Sequence, residues 1–400
     1  MNDLSRCLVK VFWEDSALTT RKKRWHPAQE SDELVFAVCE RFLAHLGKQY
    51  ASEDAEKQEN RQRGAAAAVA DWVKRAYARD DLTRERIYPL FWEAMRRQYL
   101  LLCPPRDRFL SRKIVEAFAL EGCRAQEDAV QVVNVRGADA PHHVSSAAAD
   151  VIYDLVHRLK GKREKVHIAL GAGFSSMMVA RRLAQRVYSD LECPPLVLHA
   201  LSAGGFLADQ PYKAPVTYFG YFTEVLPKVE YVGLFSETLV SSQEFDRVRA
   251  NPSVRRSFAM AEEVDIVMTS FASANDPHGM LGQFLYALLE DGAVTRQDID
   301  RMKRIGWVGD VQFRPYSVRA PIFDECPVRV VTLFEIADLV RLANTPDKYV
   351  VLIAGPCSEC GMLKTDALLP LMRNPDLRLW THLITDLGTA HALLSENGRS

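Results

Sequence analysis

The chain has 400 residues, nearly half of them apolar, with 51 Lys and Arg against 52 Asp and Glu. Near-zero net charge gives no field that would draw the whole molecule to nucleic acid or a membrane, so any such contact must come from a local patch. The length fits two domains or three small ones, and the eight scattered cysteines make no disulfide framework and fit a reducing compartment.

The N-terminal MNDLSRCLVKVFWEDSALTT lacks the apolar core and cleavage site of a signal peptide, and no apolar run reaches membrane-spanning length. A cytoplasmic protein with no membrane contact is therefore expected. Residues 1–63 read as an extension: amphipathic SDELVFAVCERFLAHLGKQY is followed by ASEDAEKQENRQRG, a solvated linker or exposed helix end. Residues 64–125 read as a small helical domain. AAAAVADWVKRAYA is a strong helix former, and LTRERIYPLFWEAMRRQYLLL opens with Thr83 as N-cap, holds Pro89 in its early turns and is stopped by Pro104 and Pro105. Residues 64–115 carry eleven Lys and Arg against six Asp and Glu, a local basic surplus.

From about residue 130 short β-branched runs alternate with longer amphipathic segments. VQVVNV, VHIAL, LVLHAL, YVGLF, VDIVMTS, VRVVTL, YVVLIAG and HLIT are the strand candidates. The helix candidates between them include SSAAADVIYDLVHRLK, SSMMVARRLAQRVYSD, SQEFDRVRANPSVRRSFAMAEE and KTDALLPLMR. Residues 126–400 are thus expected to form an α/β domain, a Rossmann-like, mostly parallel sheet with helices on both faces. His142 and His143 are placed in a loop before a helix starting near Ser145.

Open α/β sheets bind ligands at the carboxyl ends of their strands, where this chain places GAGFSS, SAGG, FASANDPHG, PCSECGMLK and DLGTA. Gly171 and Gly173 permit a tight turn and close approach to an anion, while Ser175 and Ser176 offer hydroxyls at a helix start. The third glycine of a dinucleotide fingerprint is missing, and no Walker lysine follows. Taken alone, the loop reads equally well as a plain strand-to-helix turn. Lys364, at the start of a late helix, is the candidate counter-charge. Asp310 and Arg314 lie in WVGDVQFRPYSVRAPIFDE, which reads as a constrained loop.

Cys357 and Cys360 form a CxxC. A zinc site would need two further ligands, and the chain has neither a second CxxC nor an HxxxH pair. No metal ligand and no cofactor are assigned.

SSAAADVIYDLV, VHIALGAGFSS, LVLHALSAGG, VDIVMTSFASANDPHGMLGQFL, IGWVGDVQFRPY, VVLIAGPCSECGMLKTDALLPLM and LITDLGTAHALL, in that order, resemble the effector-binding domain of SorC- and DeoR-type sugar-responsive regulators. That domain is related to ribose-phosphate isomerase and glucosamine-phosphate deaminase folds. The resemblance covers roughly residues 130–394. It implies a phosphorylated sugar or similar metabolite as ligand, with Gly171, Gly173, Ser175, Ser176 and Lys364 toward the phosphate and Ser270, Asp310 and Arg314 toward the sugar. Phe174 and Pro356-Cys357 depart from the family pattern.

The resemblance also implies dimers or tetramers and an N-terminal helix-turn-helix. Residues 82–102 match only part of one, since the turn between two helices is missing, so a degenerate winged-helix-like domain is expected. Arg84, Arg86, Arg96 and Arg97 are its candidate DNA contacts. The leading expectation is a ligand-sensing transcriptional regulator that is not an enzyme. The alternatives are a sensor acting on protein partners alone and a sugar-phosphate isomerase or deaminase using Asp310 or Asp386 as base.

Overall fold

The computed structural model describes residues 25–49, 58–97, 99–100, 103–120, 129–188, 190–204, 210–225 and 228–398. The chain divides into two compact units, Met1–Leu102 and Cys103–Ser400. No helix among the described residues is long and apolar enough to cross a membrane.

The described residues of the first unit form three α-helices: α1 (Asp32–Gln49), α2 (Gln58–Tyr77) and α3 (Arg84–Arg96). Val35 and Val38, Val69 and Val73, and Ile87 and Leu90 recur at helical spacing and are fully buried in one core. The amphipathic segment at residues 31–50 thus shares a core with the helices after residue 64, and the compositional boundary at 63 divides no core. Thr83 stands at the α3 N-cap as expected, although its hydroxyl makes no capping bond, and the helix runs through Pro89. The described residues of 82–102 supply one helix, as the missing turn indicated. No strand occurs among the described residues of this unit; Leu101 and Leu102, part of the expected wing, lie outside them.

Salt links tie the end of α3 to the start of α1. Glu93, 4% exposed at its side chain, accepts from Arg96 and Arg97, whose guanidiniums hold its carboxyl down at about 2, Arg96 most strongly. Arg97 also donates to Asp32 Oδ1 at 2.6 Å and to the Glu30 carbonyl at 3.0 Å. Arg97→Ala would leave Glu93 with one exposed partner. A loss of roughly 2 kcal/mol is expected, the scale of a charged hydrogen bond removed from a buried group. A urea midpoint equal to that of the native protein would contradict this assignment.

The second unit runs α4 (Arg108–Ala117), β1 (Val130–Val133), α5 (Ala140–Leu159), β2 (Val166–Leu170), α6 (Phe174–Val187), β3 (Leu196–Ala200), β4 (Val229–Val232), β5 (Leu239–Val240), α7 (Ser242–Ala250) and α8 (Pro252–Met260). It continues with β6 (Ile266–Ser273), α9 (Met280–Glu290), α10 (Arg296–Arg304), β7 (Gly309–Val311), β8 (Arg314–Tyr316), β9 (Arg329–Val330), α11 (Ile336–Asn344), β10 (Tyr349–Ala354), α12 (Thr365–Arg373), β11 (His382–Asp386) and α13 (Leu387–Asn397). Seven strands pair in parallel in the order β1-β11-β10-β6-β2-β3-β4, and the antiparallel hairpin β7-β8 extends from β6. This is the mostly parallel α/β sheet expected.

Strand alternation sorts the side chains to two faces. Val166, Ile168 and Leu170 of β2 join Leu196 and Leu198 of β3 under α5 and α6. Ala169, Val267, Leu352 and Leu383 face the opposite layer, where α4, α11, α12 and α13 pack. Helix α4 therefore belongs to this unit, not to the small helical domain extending to residue 125. Three further expectations need correction. Helix α5 begins at Ala140, so His142 and His143 lie inside it. Residues 242–260 form two helices, because Pro252 forces Asn251 into an extended conformation between them. Residues 309–316 form a hairpin, not a loop, with Gln312 and Phe313 both at positive φ in its turn.

Candidate functional site

From β2 the chain winds outward through β3 and β4, then returns to β6 on the other side of β2 and winds outward through β10 and β11. The carboxyl ends of β2 and β6 therefore flank a topological switch point, where open α/β sheets leave a crevice. A cavity of about 90 Å³ lies there. That volume is well below the roughly 300 Å³ of a drug-sized ligand site and suits a small charged head group.

The GAGFSS loop forms one wall. Gly173 adopts φ 105°, ψ 168°, a region essentially confined to glycine, and starts α6. Its N–H donates to the Lys213 carbonyl at 3.0 Å, while the buried Tyr218 hydroxyl lies 3.0 Å from the Gly173 carbonyl and 2.6 Å from that of Lys213. These bonds fix Lys213 beside the loop. Gly173, Phe174 and Ser175 line the cavity at the α6 N-terminus, whose unpaired N–H groups attract anions. The Phe174 ring stands edge-on to His142.

Two residues assigned to this loop serve packing instead. Gly171 does not line the cavity; a Cβ there would meet Gln312 Nε2 at 2.3 Å and the Met268 carbonyl at 2.7 Å, so glycine is what lets the hairpin close on β2. Ser176 is fully buried on the helix face that carries Val179 and Ala180, and its hydroxyl has no partner among the described residues.

The opposite wall carries the charge. Lys364, at the N-cap position of α12, is 14% exposed; its Nζ lies 3.4 Å from the Phe271 carbonyl and 3.9 Å from Asp276 Oδ2. Lys213, 6% exposed at its side chain, reaches Glu359 Oε1 at 3.3 Å. Two largely desolvated ammonium groups thus meet at one cavity, together with Ser270 and Asp310. Burial pushes the Asp310 carboxyl up to about 7, against the lowering effects of the Phe313 N–H and Lys364. Near neutrality it is partly protonated and able to donate to a ligand oxygen.

Arg314 is not part of this site. Along the hairpin Val311 pairs with Arg314 and Asp310 with Pro315, so the two-residue period turns Arg314 to the face opposite Asp310. There it donates to Glu335 Oε2 at 2.7 Å and to the Val330 carbonyl at 2.8 Å. Asp386 is no candidate base either. Its carboxylate caps α13, accepting from the Gly388 and Thr389 N–H groups.

The full-length sorbitol operon regulator SorC from Klebsiella pneumoniae superposes with a TM-score of 0.56 at 14% identity, covering 91% of this chain and 99% of that one. This chain has the SorC-type fold. The probable sor operon regulator from Shigella flexneri (TM-score 0.51, 16% identity) and a putative sugar-binding domain of a transcriptional repressor from Vibrio fischeri (TM-score 0.52, 13% identity) each cover 72% of this chain and 98% of their own. No protein-family model and no curated sequence matches the chain. On this SorC-type fold, the loops following β2, β6 and β10, read from the sequence as ligand loops, meet at the cavity, whereas that following β11 is used in capping. Gly205, in the loop after β3, lies outside the described residues.

Several polar cavity residues escaped the sequence reading. Lys213 lies in a stretch without motif or periodicity, and Gln312 was taken for a loop residue although its amide bridges the Ala172 N–H and Thr269 Oγ1. Asp276, in FASANDPHG, carried no signal beyond its place after a strand. Together with His278, it lies against Cys357 and Cys360.

Proposed function

We propose that this protein is a metabolite-sensing transcriptional regulator whose second unit binds a phosphorylated sugar or related anion, and whose helical first unit contacts DNA as part of a homo-oligomer. The observation that carries the ligand half is the convergence of Lys213, Lys364 and the α6 N-terminus on one cavity at the switch point. Structural neighbours named as a sorbitol operon regulator and a sugar-binding repressor domain support it. Regulation then follows from differential affinity of the ligand for two arrangements of the chain or its oligomer.

Of the arginines proposed to meet DNA, Arg97 is half-buried and already paired with Glu93 and Asp32. Arg84, Arg86 and Arg96 sit on the surface, each against a carboxylate, Glu85, Asp81 and Glu93 respectively. Three phosphate contacts made at the cost of those pairs would give log K against log salt a slope of about −2.7. Duplex DNA titrations at several salt concentrations, with and without sugar phosphates, test this. Salt-independent or absent binding in every condition would instead favour a sensor acting on protein partners.

One observation supports a second reading, that of a sugar-phosphate isomerase or deaminase: a buried carboxyl near 7 in an anion cavity is suited to general acid–base work. Turnover of a sugar phosphate that vanishes in Asp310→Asn would establish it.

A further inference from the structure

The segment after β6 and the turn after β10 meet at the cavity wall. In the turn, Gly361 takes φ 74°, its N–H donates to the Cys357 carbonyl at 2.9 Å, and the Cys357 N–H donates to the Met362 carbonyl at 2.9 Å. The turn so formed carries both cysteines of the CxxC, Cys357 buried and Cys360 exposed.

The other segment supplies what the CxxC lacks. The His278 N–H donates to Asp276 Oδ1 at 2.9 Å, and the ring then places Nδ1 3.6 Å from Cys357 Sγ and 3.6 Å from Asp276 Oδ1. One donor atom from each of Asp276, His278, Cys357 and Cys360 lies within 4.8 Å of every other. Metal bonds of about 2.3 Å to sulfur and about 2.0–2.1 Å to nitrogen or oxygen put tetrahedral neighbours roughly 3.3–3.8 Å apart, so a small contraction closes the shell.

Two details complete the set. His278 Nε2 lies 3.5 Å from Glu359 Oε2, the outer carboxylate that commonly orients a metal-bound imidazole. Two thiolates, one carboxylate and a divalent ion leave a single negative charge, and the ammonium of Lys364 stands 3.9 Å from Asp276. Soft thiolates with an imidazole select zinc over magnesium or calcium.

We propose that Asp276, His278, Cys357 and Cys360 form a zinc site that pins the segment after β6 to the turn after β10. Four protein ligands close the coordination shell, so the ion organises the cavity wall and does not activate water. The assignment stands on these residues alone and does not require the effector reading.

Cobalt titration of the full-length, reduced, metal-free protein tests it. A thiolate-to-cobalt charge-transfer band and tetrahedral d–d bands are expected to saturate at one equivalent and to disappear when zinc is added. Cys357→Ser and Cys360→Ser should each diminish the charge-transfer band, and His278→Ala should weaken binding about tenfold or more. Cys103→Ser, at an exposed thiol, should change nothing. Circular dichroism of each variant separates lost ligands from lost fold. The site is overturned if cobalt fails to bind, binds without a thiolate band, or gives an unchanged spectrum in the folded Cys357→Ser, Cys360→Ser double variant. Failure of phosphate binding with the cobalt spectrum intact would remove the effector reading and leave the zinc site standing.

Discussion

Asp310→Asn is expected to stabilise the protein at pH 8, and to do so progressively less as the pH falls. Burial puts the Asp310 carboxyl at about 7 in the folded protein, roughly three units above the ~3.9 of an unfolded chain. Between those values the folded state holds a proton that the unfolded state has released. The stability contributed by this group is therefore full below about pH 4 and is lost as the pH rises through about 7. Three units correspond to about 4 kcal/mol, an upper figure for the cost carried by the ionised group above pH 7. Asparagine keeps the shape and cannot ionise. Urea midpoints at about pH 5, 6.5 and 8 should show the variant's advantage growing along the series. An advantage independent of pH, or a loss at pH 8, would mean that Asp310 does not carry the charge penalty assigned to it.

How far the candidate site was legible depends on how local each signal is. The β2-to-α6 connection is contiguous, so the strand run, Gly173, Ser175 and the helix pattern identified it directly. The same locality misassigned Gly171 and Ser176: a glycine admitting a neighbouring hairpin and a serine on a buried helix face look identical in sequence to anion ligands. The hairpin itself was hidden because its turn is Gln312-Phe313, both at positive φ, where a two-residue turn is usually announced by Asn-Gly. Once the hairpin was missed, the alternation that separates Asp310 from Arg314 was missed with it. Lys213 had no local signal, and the Asp276-His278 pair had only its place after a strand. Parallel crossovers bring them to the site from separate strands, which also explains why a two-cysteine motif looked incomplete along the chain. In the first unit, helical periodicity was sufficient for the helices, but composition could not show that residues before and after position 63 share one core.

Lys364→Met should cost roughly 10- to 100-fold in affinity for a phosphate ester, measured by calorimetry against a panel of sugar phosphates and inorganic phosphate. A hydrogen bond to a charged group is worth about 1.5–3 kcal/mol, and this ammonium is only 14% exposed, so salt screens it little. Methionine retains the aliphatic stem beside the Phe271 ring, which keeps the wall packed while removing the charge. Lys213 and the α6 N-terminus remain, so residual binding is expected, and Lys213→Met in the same chain should abolish it. The two losses need not add, because both cations face one ligand. Unchanged affinity in Lys364→Met would place the anion elsewhere. The substitution has a second consequence that a merely weakened cavity would not show. Burial and Asp276 push the Asp310 carboxyl up while the Phe313 N–H and Lys364 hold it down; without the lysine one of those two lowering effects is lost. The Asp310 titration should therefore move further above 7 in Lys364→Met, and the pH at which Asp310→Asn begins to stabilise the protein should move upward with it.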